Sequence, residues 1–335
     1  MKNILKLTSI AVLTFVLGSC SSNTSVDTST STDTQDTTEN TETENTAQTE
    51  ETVGDTVTIT DIRGEVEIPV NPQSMVDLSG SSDMLELLGY DIKGTANSDA
   101  YDYTKFPVYL EDTLEGATIL GYSMVAEMDV EAIMALAPDL IVISTVQEGM
   151  YDQLSEIAPT VLIQLEGVDW KDDFMNVAST FQKEAEATTW LNEYDTKATT
   201  IGEDIKATYG EDTSYLSFLA SGESLFLFAD AGIGTLLYDD LGLALPEGMP
   251  EQENISLPVV TIEGLAEINS DYLICLATDT DKALLEANPI WNSLEPVKNG
   301  KVVYLPASPY FNQGYSPIGS ELLLDEIGPW LEETK

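Results

Sequence analysis

The chain contains no histidine, and among its 335 residues Arg63 is the only arginine. Without histidine there is no Ser/His/Asp triad, no Cys/His nucleophile pair and no histidine cluster to hold zinc or manganese. Haem ligated through histidine is excluded as well, which leaves Tyr or Met for that role. Cationic residues number 13 against 59 acidic ones, a formal charge of −46. So acidic a chain repels phosphate backbones, and nucleic acid is excluded as a partner. Cysteine is limited to Cys20 and Cys275. Cys275 lies in a wholly apolar run and reads as an inert core residue. Gly232-Ile-Gly234 alone is too little for a phosphate-binding loop. Carboxylates are too numerous for counting to single out a catalytic pair, so an enzyme reading gains no support.

What is present begins with the leader. MKNILKLTSIAVLTFVLGSC (1–20) joins Lys2 and Lys6 to an apolar stretch and a small-residue exit. That stretch is too short to span a bilayer, and residues 1–19 read as an export signal. Its last four residues, Leu17-Gly18-Ser19-Cys20, resemble the lipobox of bacterial lipoproteins. The resemblance implies cleavage before Cys20, lipid on its sulfur and a stable anchor to the outer face of the membrane. Loss of Lys2 and Lys6 then takes the charge to −48, and Cys275 remains as the only thiol, so no internal disulfide can form. Residues 20–54 supply the lipidated Cys and then a run of Ser, Thr, Asn, Asp and Glu. Such a run cannot bury enough apolar surface to offset its ordering entropy, and it reads as a disordered tether.

One module occurs twice. Residues 129–143 are DVEAIMALAPDLIVI, and residues 261–275 are TIEGLAEINSDYLIC. In each, a cap residue (Asp129, Thr261) opens a short helix whose second residue is Glu (Glu131, Glu263). Each helix leads to an Asp (Asp139, Asp271) and then to an apolar strand of the kind buried on both faces. The repeat predicts two similar α/β lobes with a cleft between them. Around it, strands alternate with helices, which argues for parallel sheets. A hairpin is expected over 57–68. The first lobe spans 55–169 and the second 209–335. Between them, 170–208 lacks Pro and spaces its apolar residues at helical intervals, as one long helix or two nearly continuous ones.

At this point the residues resemble a known family, the substrate-binding lipoproteins of ABC importers for iron–siderophores, haem and vitamin B12. The resemblance covers roughly residues 55–333. It is carried by TDIRGEVEIPVNPQSMVDL, DVEAIMALAPDLIVIS, YDQLSEIAPTV, the long helix, TIEGLAEINSDYLI and NPIWNSLEPVKNGKVVYLP, in that order. LSEIAPTV and WNSLEPVKNGKVV look most like the ferric-hydroxamate branch. The resemblance implies an α/β fold of two lobes with parallel-rich sheets, joined by one long helix, and little hinge motion. It implies an importer component that is not an enzyme and has no cofactor of its own. Its ligand is an Fe(III)–siderophore, with cobalamin or haem as alternatives. Its partners are a permease with its ATPase, and the protein itself is a monomer. By the same resemblance Glu131 and Glu263 dock on the permease. A Glu in a first helical turn also stabilises the helix dipole by about 0.3–1 kcal/mol and needs no partner for that. A surface adhesion lipoprotein would share the anchor and tether but would need neither the repeated module nor a cleft.

Cleft residues are expected in loops at the carboxyl ends of the strands. In the first lobe these are Ser81, Tyr101, Tyr103, Tyr122, Gln147, Tyr151 and Trp170. In the second they are Ser221, Phe226, Phe228, Tyr310, Phe311 and Tyr315. Aromatic rings with a polar edge suit a large, partly apolar chelate. STVQEGMYDQL and ASGESLFLFAD carry no cation where catecholate-binding members of the family place Arg or Lys. A multiply charged anion, ferric catecholate or citrate, is therefore disfavoured. A neutral or cationic hydroxamate, or cobalamin, fits better.

Overall fold

A computed structural model describes residues 55–252 and 256–334. The signal, Cys20 and the tether of 20–54 lie outside the described residues. The expected hairpin is β1 (Thr56–Asp61) with β2 (Gly64–Pro69). Asp61 closes its turn by accepting the N–H groups of Arg63 and Gly64. Its second oxygen accepts the Leu162 N–H at 2.8 Å and ties the hairpin to the first lobe.

The first lobe comprises β3 (Met75–Asp77), α1 (Ser82–Leu87), β4 (Ile92–Thr95), β5 (Thr118–Ile119), α2 (Val130–Ala135), β6 (Leu140–Ser144), α3 (Tyr151–Ser155) and β7 (Thr160–Ile163). Its sheet runs β5-β4-β3-β6-β7, all parallel. Every residue of β3, β6 and β7 is buried, so these strands read as continuous runs rather than alternating ones.

Two helices connect the lobes, α4 (Trp170–Thr180) and α5 (Glu184–Tyr209). The break between them is a left-handed C-cap. Gln182 has φ of 58°, the Lys183 N–H donates to Ala178 O and the Gln182 N–H to Ser179 O. That is the bonding of a Schellman motif, usually marked by Gly or Asn. Of the two forms expected over 170–208, one long helix or two nearly continuous ones, the structure has the second, with its break at Gln182.

The second lobe contains β8 (Tyr215–Ser221), β9 (Ser224–Leu227), α6 (Ile233–Thr235) running into a π turn (Leu236–Asp240), β10 (Val259–Val260), α7 (Ile262–Leu265), β11 (Tyr272–Ala277), α8 (Asp279–Ala287), α9 (Glu295–Lys298), β12 (Val302–Pro306), α10 (Ala307–Gln313) and α11 (Pro317–Glu332). Its sheet is β10-β9-β8-β11-β12. Strands β8, β11 and β12 are parallel, while β9 runs antiparallel to both neighbours.

The repeated module takes the same form in both lobes. Asp129 accepts the N–H groups of Glu131 and Ala132, and Thr261 accepts the Gly264 N–H. The Asp that follows each helix clamps the start of the neighbouring strand. Asp139 accepts the N–H groups of Gln73 (2.6 Å) and Ser74 (2.9 Å) beside β3. Asp271 accepts the N–H (3.0 Å) and hydroxyl (3.1 Å) of Ser214 beside β8. In each lobe the module's own strand, β6 or β11, is the parallel partner of the strand so clamped.

Three features hold the lobes to the connecting helices. Gly202 of α5 lies so near the π turn that a Cβ there would meet Leu241 O at 2.1 Å. Asp240 accepts from Tyr194 Oη at 2.6 Å and pairs with Lys171 at 2.7 Å. The terminal helix α11 follows the second lobe in sequence but packs across onto α5, α4 and α1.

Candidate ligand cleft and docking acids

A cleft of about 390 Å³ opens between the lobes. Its first-lobe wall is made where β3, β4, β6 and β7 end: Ser79 and Gly80, Asn97 and Ser98, Ser144 to Val146, and Leu165 to Gly167. This is the carboxyl edge of a parallel sheet, with the reversal of strand order between β3 and β6 at its centre. Asp77, fully buried at the end of β3, organises the floor. It accepts from the hydroxyls of Ser79 (2.5 Å) and Ser82 (2.6 Å), and Ser82 in turn meets Thr95 Oγ1 at 2.7 Å. Burial raises the Asp77 pKa, and those hydroxyls act against the rise. Gly80 has φ of 95°, and a Cβ there would lie 2.8 Å from Ser123 Oγ. Glycine thus lets the Tyr122–Ser123 segment close over the floor.

The second-lobe side consists of Leu257, Phe311, Asn312, Tyr315 and Ser316. Polar contacts join the two walls at three places. The Ser316 hydroxyl donates to Asp83 Oδ2, Ser308 Oγ donates to Asp99 Oδ2, and Asn312 hydrogen-bonds Tyr122. Asp83 is 2% exposed, and burial pushes its pKa up to about 6 against the opposing bond from Ser316. Cross-links at the floor and along one side leave a shallow cleft whose walls are already joined.

The charge lining the cleft has one sign. Asp83, Glu166 and Asp173 are there, and no Lys or Arg is among the described lining residues. Asp173 accepts the N–H groups of Glu166 and Gly167 at 2.7 and 2.8 Å, and burial raises its pKa. Cations nearby in sequence are engaged elsewhere: Lys171 reaches Asp195 and Asp240 at 2.7 Å each. Arg63 sits 4.1 Å over the Tyr151 ring, facing Glu148 and Asp152. Among the described residues no group of His, Cys, Asp and Glu is arranged to hold a metal ion.

The aromatic expectations divide. Tyr122, Phe311 and Tyr315 line the cleft. Tyr103 stacks on Tyr122 with centroids 4.7 Å apart and planes 7° from parallel, and Tyr101 lines a narrow crevice alongside with Phe311 and Asn312. The remainder are elsewhere, each for a local reason. Ser81 is fully buried, its hydroxyl 2.7 Å from Ser79 Oγ. Gln147 is turned inward by a capping box with Ser144, and its amide donates to Ser123 O and Val125 O, so it props the cleft wall from behind. Tyr151 lies under Arg63. Trp170 is 3% exposed, packed edge-on against Trp190 and Tyr194, because the first turn of α4 faces the core. Ser221 is exposed at the β8–β9 turn, and Phe226 lies on β9, paired across to Val259. Phe228 is buried with its centroid 6.3 Å from that of Phe311, and Tyr310 points away to donate to Glu326.

Asp83, Asn97, Ser98, Tyr109, Glu166, Asp173, Asn312 and Ser316 line the cleft without having been singled out from sequence. Asn97 and Ser98 follow β4, a four-residue strand with Lys and Gly inside it, which gives little period to read. The strand-end rule would have found both had that strand been recognised. Glu131 and Glu263 are both exposed in the first turns of α2 and α7. Each helix leads into the strand beside the central one of its sheet, β6 next to β3 and β11 next to β8, so the two acids hold equivalent places in the two lobes.

Comparison with known proteins gives consistent results. A probable siderophore-binding lipoprotein of Bacillus subtilis, YfiY, is 28% identical over 286 residues, 80% of this chain and 85% of its own length. The iron(3+)-hydroxamate-binding protein FhuD of the same organism is 27% identical over 286 residues, covering 82% and 85%. A crystal structure described as the binding-protein component of a ferrichrome ABC transporter of Bacillus subtilis superposes with a TM-score of 0.66 at 26% identity, covering 81% of this chain and 98% of that one. The family model for periplasmic binding proteins matches residues 79–309, more than half of the sequence. The chain belongs to the periplasmic binding protein family.

Proposed function

We propose that this protein is the extracytoplasmic binding component of an ABC importer, which captures a ferric siderophore of hydroxamate type and delivers it to a membrane permease. The observation that carries this is a cleft between the carboxyl edge of the first lobe's parallel sheet and the α10–α11 segment of the second lobe, rimmed by aromatic rings and lined by carboxylates without a cation. Tyr122, Phe311 and Tyr315 offer broad, rigid contact area to a chelate. The absent cation disfavours ferric catecholate and ferric citrate. The proteins most like it are named for siderophore and hydroxamate binding, which supports the same reading.

Glu131 and Glu263 serve as the docking acids, one on each lobe. Exposed ion pairs are worth only about 0.2–1 kcal/mol each, so these acids orient the protein on the permease more than they hold it there. The lipidated Cys20 keeps the domain at the outer face of the cytoplasmic membrane, with the tether giving it reach. The protein acts as a monomer, turns over no substrate and needs no cofactor.

The test is calorimetric titration of the mature protein with ferrioxamine-type and ferrichrome-type hydroxamates, a ferric catecholate, haem and cobalamin. Tight binding of a ferric hydroxamate is expected. Binding of none of these, or preference for the catecholate, overturns the assignment.

A further inference from the structure

The polar groups of the cleft are not equally engaged. Asp173 is occupied by two backbone N–H groups, and Asp83 by the Ser316 hydroxyl across the lobes. Glu166 is different: it is exposed on the β7–α4 loop, and its carboxylate takes one contact, from Gln164 Nε2 at 2.6 Å. A carboxylate can accept several hydrogen bonds, so Glu166 keeps room for a donor from a ligand. The second observation is Ser98. It lines the same cavity, is 3% exposed, and its side-chain oxygen is buried with no hydrogen-bond partner. Buried polar atoms are rarely left unpaired, and Ser98 belongs to the wall of this cavity.

The charge of the iron complex decides what the cleft admits. Three hydroxamates neutralise ferric iron, and a pendant primary amine leaves the complex positive at neutral pH. Three catecholates leave a multiply charged anion. We propose that the cleft selects a ferric hydroxamate carrying a free protonated amine over a neutral chelate of the same size, with Glu166 facing the ammonium and Ser98 hydrogen-bonding the chelate. The selectivity rests on the siderophore-binding function proposed above and specifies its ligand class. A protein of charge −46 attracts any cation at long range, but that attraction is screened by salt and indifferent to one side chain. A preference owed to Glu166 disappears when Glu166 alone is made neutral.

The experiment compares a ferric trihydroxamate bearing a terminal amine with its N-acetylated form, titrated calorimetrically into the wild type, Glu166→Gln and Ser98→Ala. The wild type is expected to bind the amine form about fivefold more tightly, the upper range for an exposed ion pair. Glu166→Gln should bind the two forms equally, and Ser98→Ala should weaken both by about fivefold. Equal affinity of the two forms for the wild type, or a preference that survives Glu166→Gln, overturns the proposal and leaves the siderophore assignment standing. Unweakened binding by Ser98→Ala overturns the role of Ser98. If neither chelate binds the wild type, the selectivity fails, and the siderophore assignment fails with it when the ligands of the earlier titration do not bind either.

Discussion

Asp83 shows how a single side chain in the cleft couples to stability. It is buried between the lobes, bonded to Ser316, and its pKa stands at about 6 because burial disfavours the charged form. A raised carboxylate pKa means that the folded state binds the proton more tightly than the unfolded chain does. Stability from this group is therefore present at low pH and is lost as pH climbs from the unfolded value near 4 to about 6. Two pKa units correspond to about 3 kcal/mol, an upper figure for one buried acid. Asp83→Asn keeps an acceptor for Ser316 without the charge. The variant and the wild type should melt at nearly the same temperature near pH 4, and the variant should melt progressively higher up to pH 6 and above. Comparing the two proteins cancels the other acids. A difference that is the same at both ends of the range refutes the account.

The same residue marks where sequence reading reached its limit. Asp83 reads as one more acid in a helical first turn, and only the approach of Ser316, far along the chain, makes it special. Trp170 and Gln147 failed in the opposite direction. Both follow strand ends facing the cleft, yet a helix phase and a capping box turn their side chains away from it. Position in a loop is visible in sequence; the direction of the side chain is not.

Among elements, the repeated module was the most legible part of the chain, because its signals are local. A cap, a short helix, an Asp and an apolar run all lie within fifteen residues, and each took the expected form in both lobes. The clamp formed by the second Asp was not visible, since its partners lie more than fifty positions away. The position of the break at Gln182 was not legible, because a left-handed cap made by Gln carries no residue signature. The clamps yield a comparison. Asp139 is half-buried and holds two backbone N–H groups, whereas Asp271 is exposed and holds one N–H and a hydroxyl. Hydrogen bonds to a charged acceptor contribute about 1.5–3 kcal/mol each when sheltered and less when wet. Asp139→Ala should therefore cost about 2–4 kcal/mol of unfolding free energy, and Asp271→Ala about 1 kcal/mol. Urea denaturation measures both. A larger loss at Asp271 would show that the clamp does not work through its sheltered backbone bonds.

For the whole molecule, function depends on distance as well as on contact. Glu131 and Glu263 occupy equivalent places in two lobes that Gly202, the Asp240–Lys171–Tyr194 group and α11 fix to the connecting helices. Bonds across the cleft at Ser316, Ser308 and Asn312 further restrict how far the lobes can part. Two acids held at a fixed spacing can register a rigid body on a permease even though each pair is weak, because the second contact follows the first without further loss of orientation. Neither acid lines the cleft. Replacing both by Ala should thus leave calorimetric affinity for the ferric hydroxamate unchanged while abolishing uptake of the labelled complex by cells that make the permease. Each single variant should retain intermediate uptake, since one contact still orients the protein in part. Undiminished uptake by the double variant removes these residues from docking, and a parallel fall in ligand affinity would place their effect in the cleft instead.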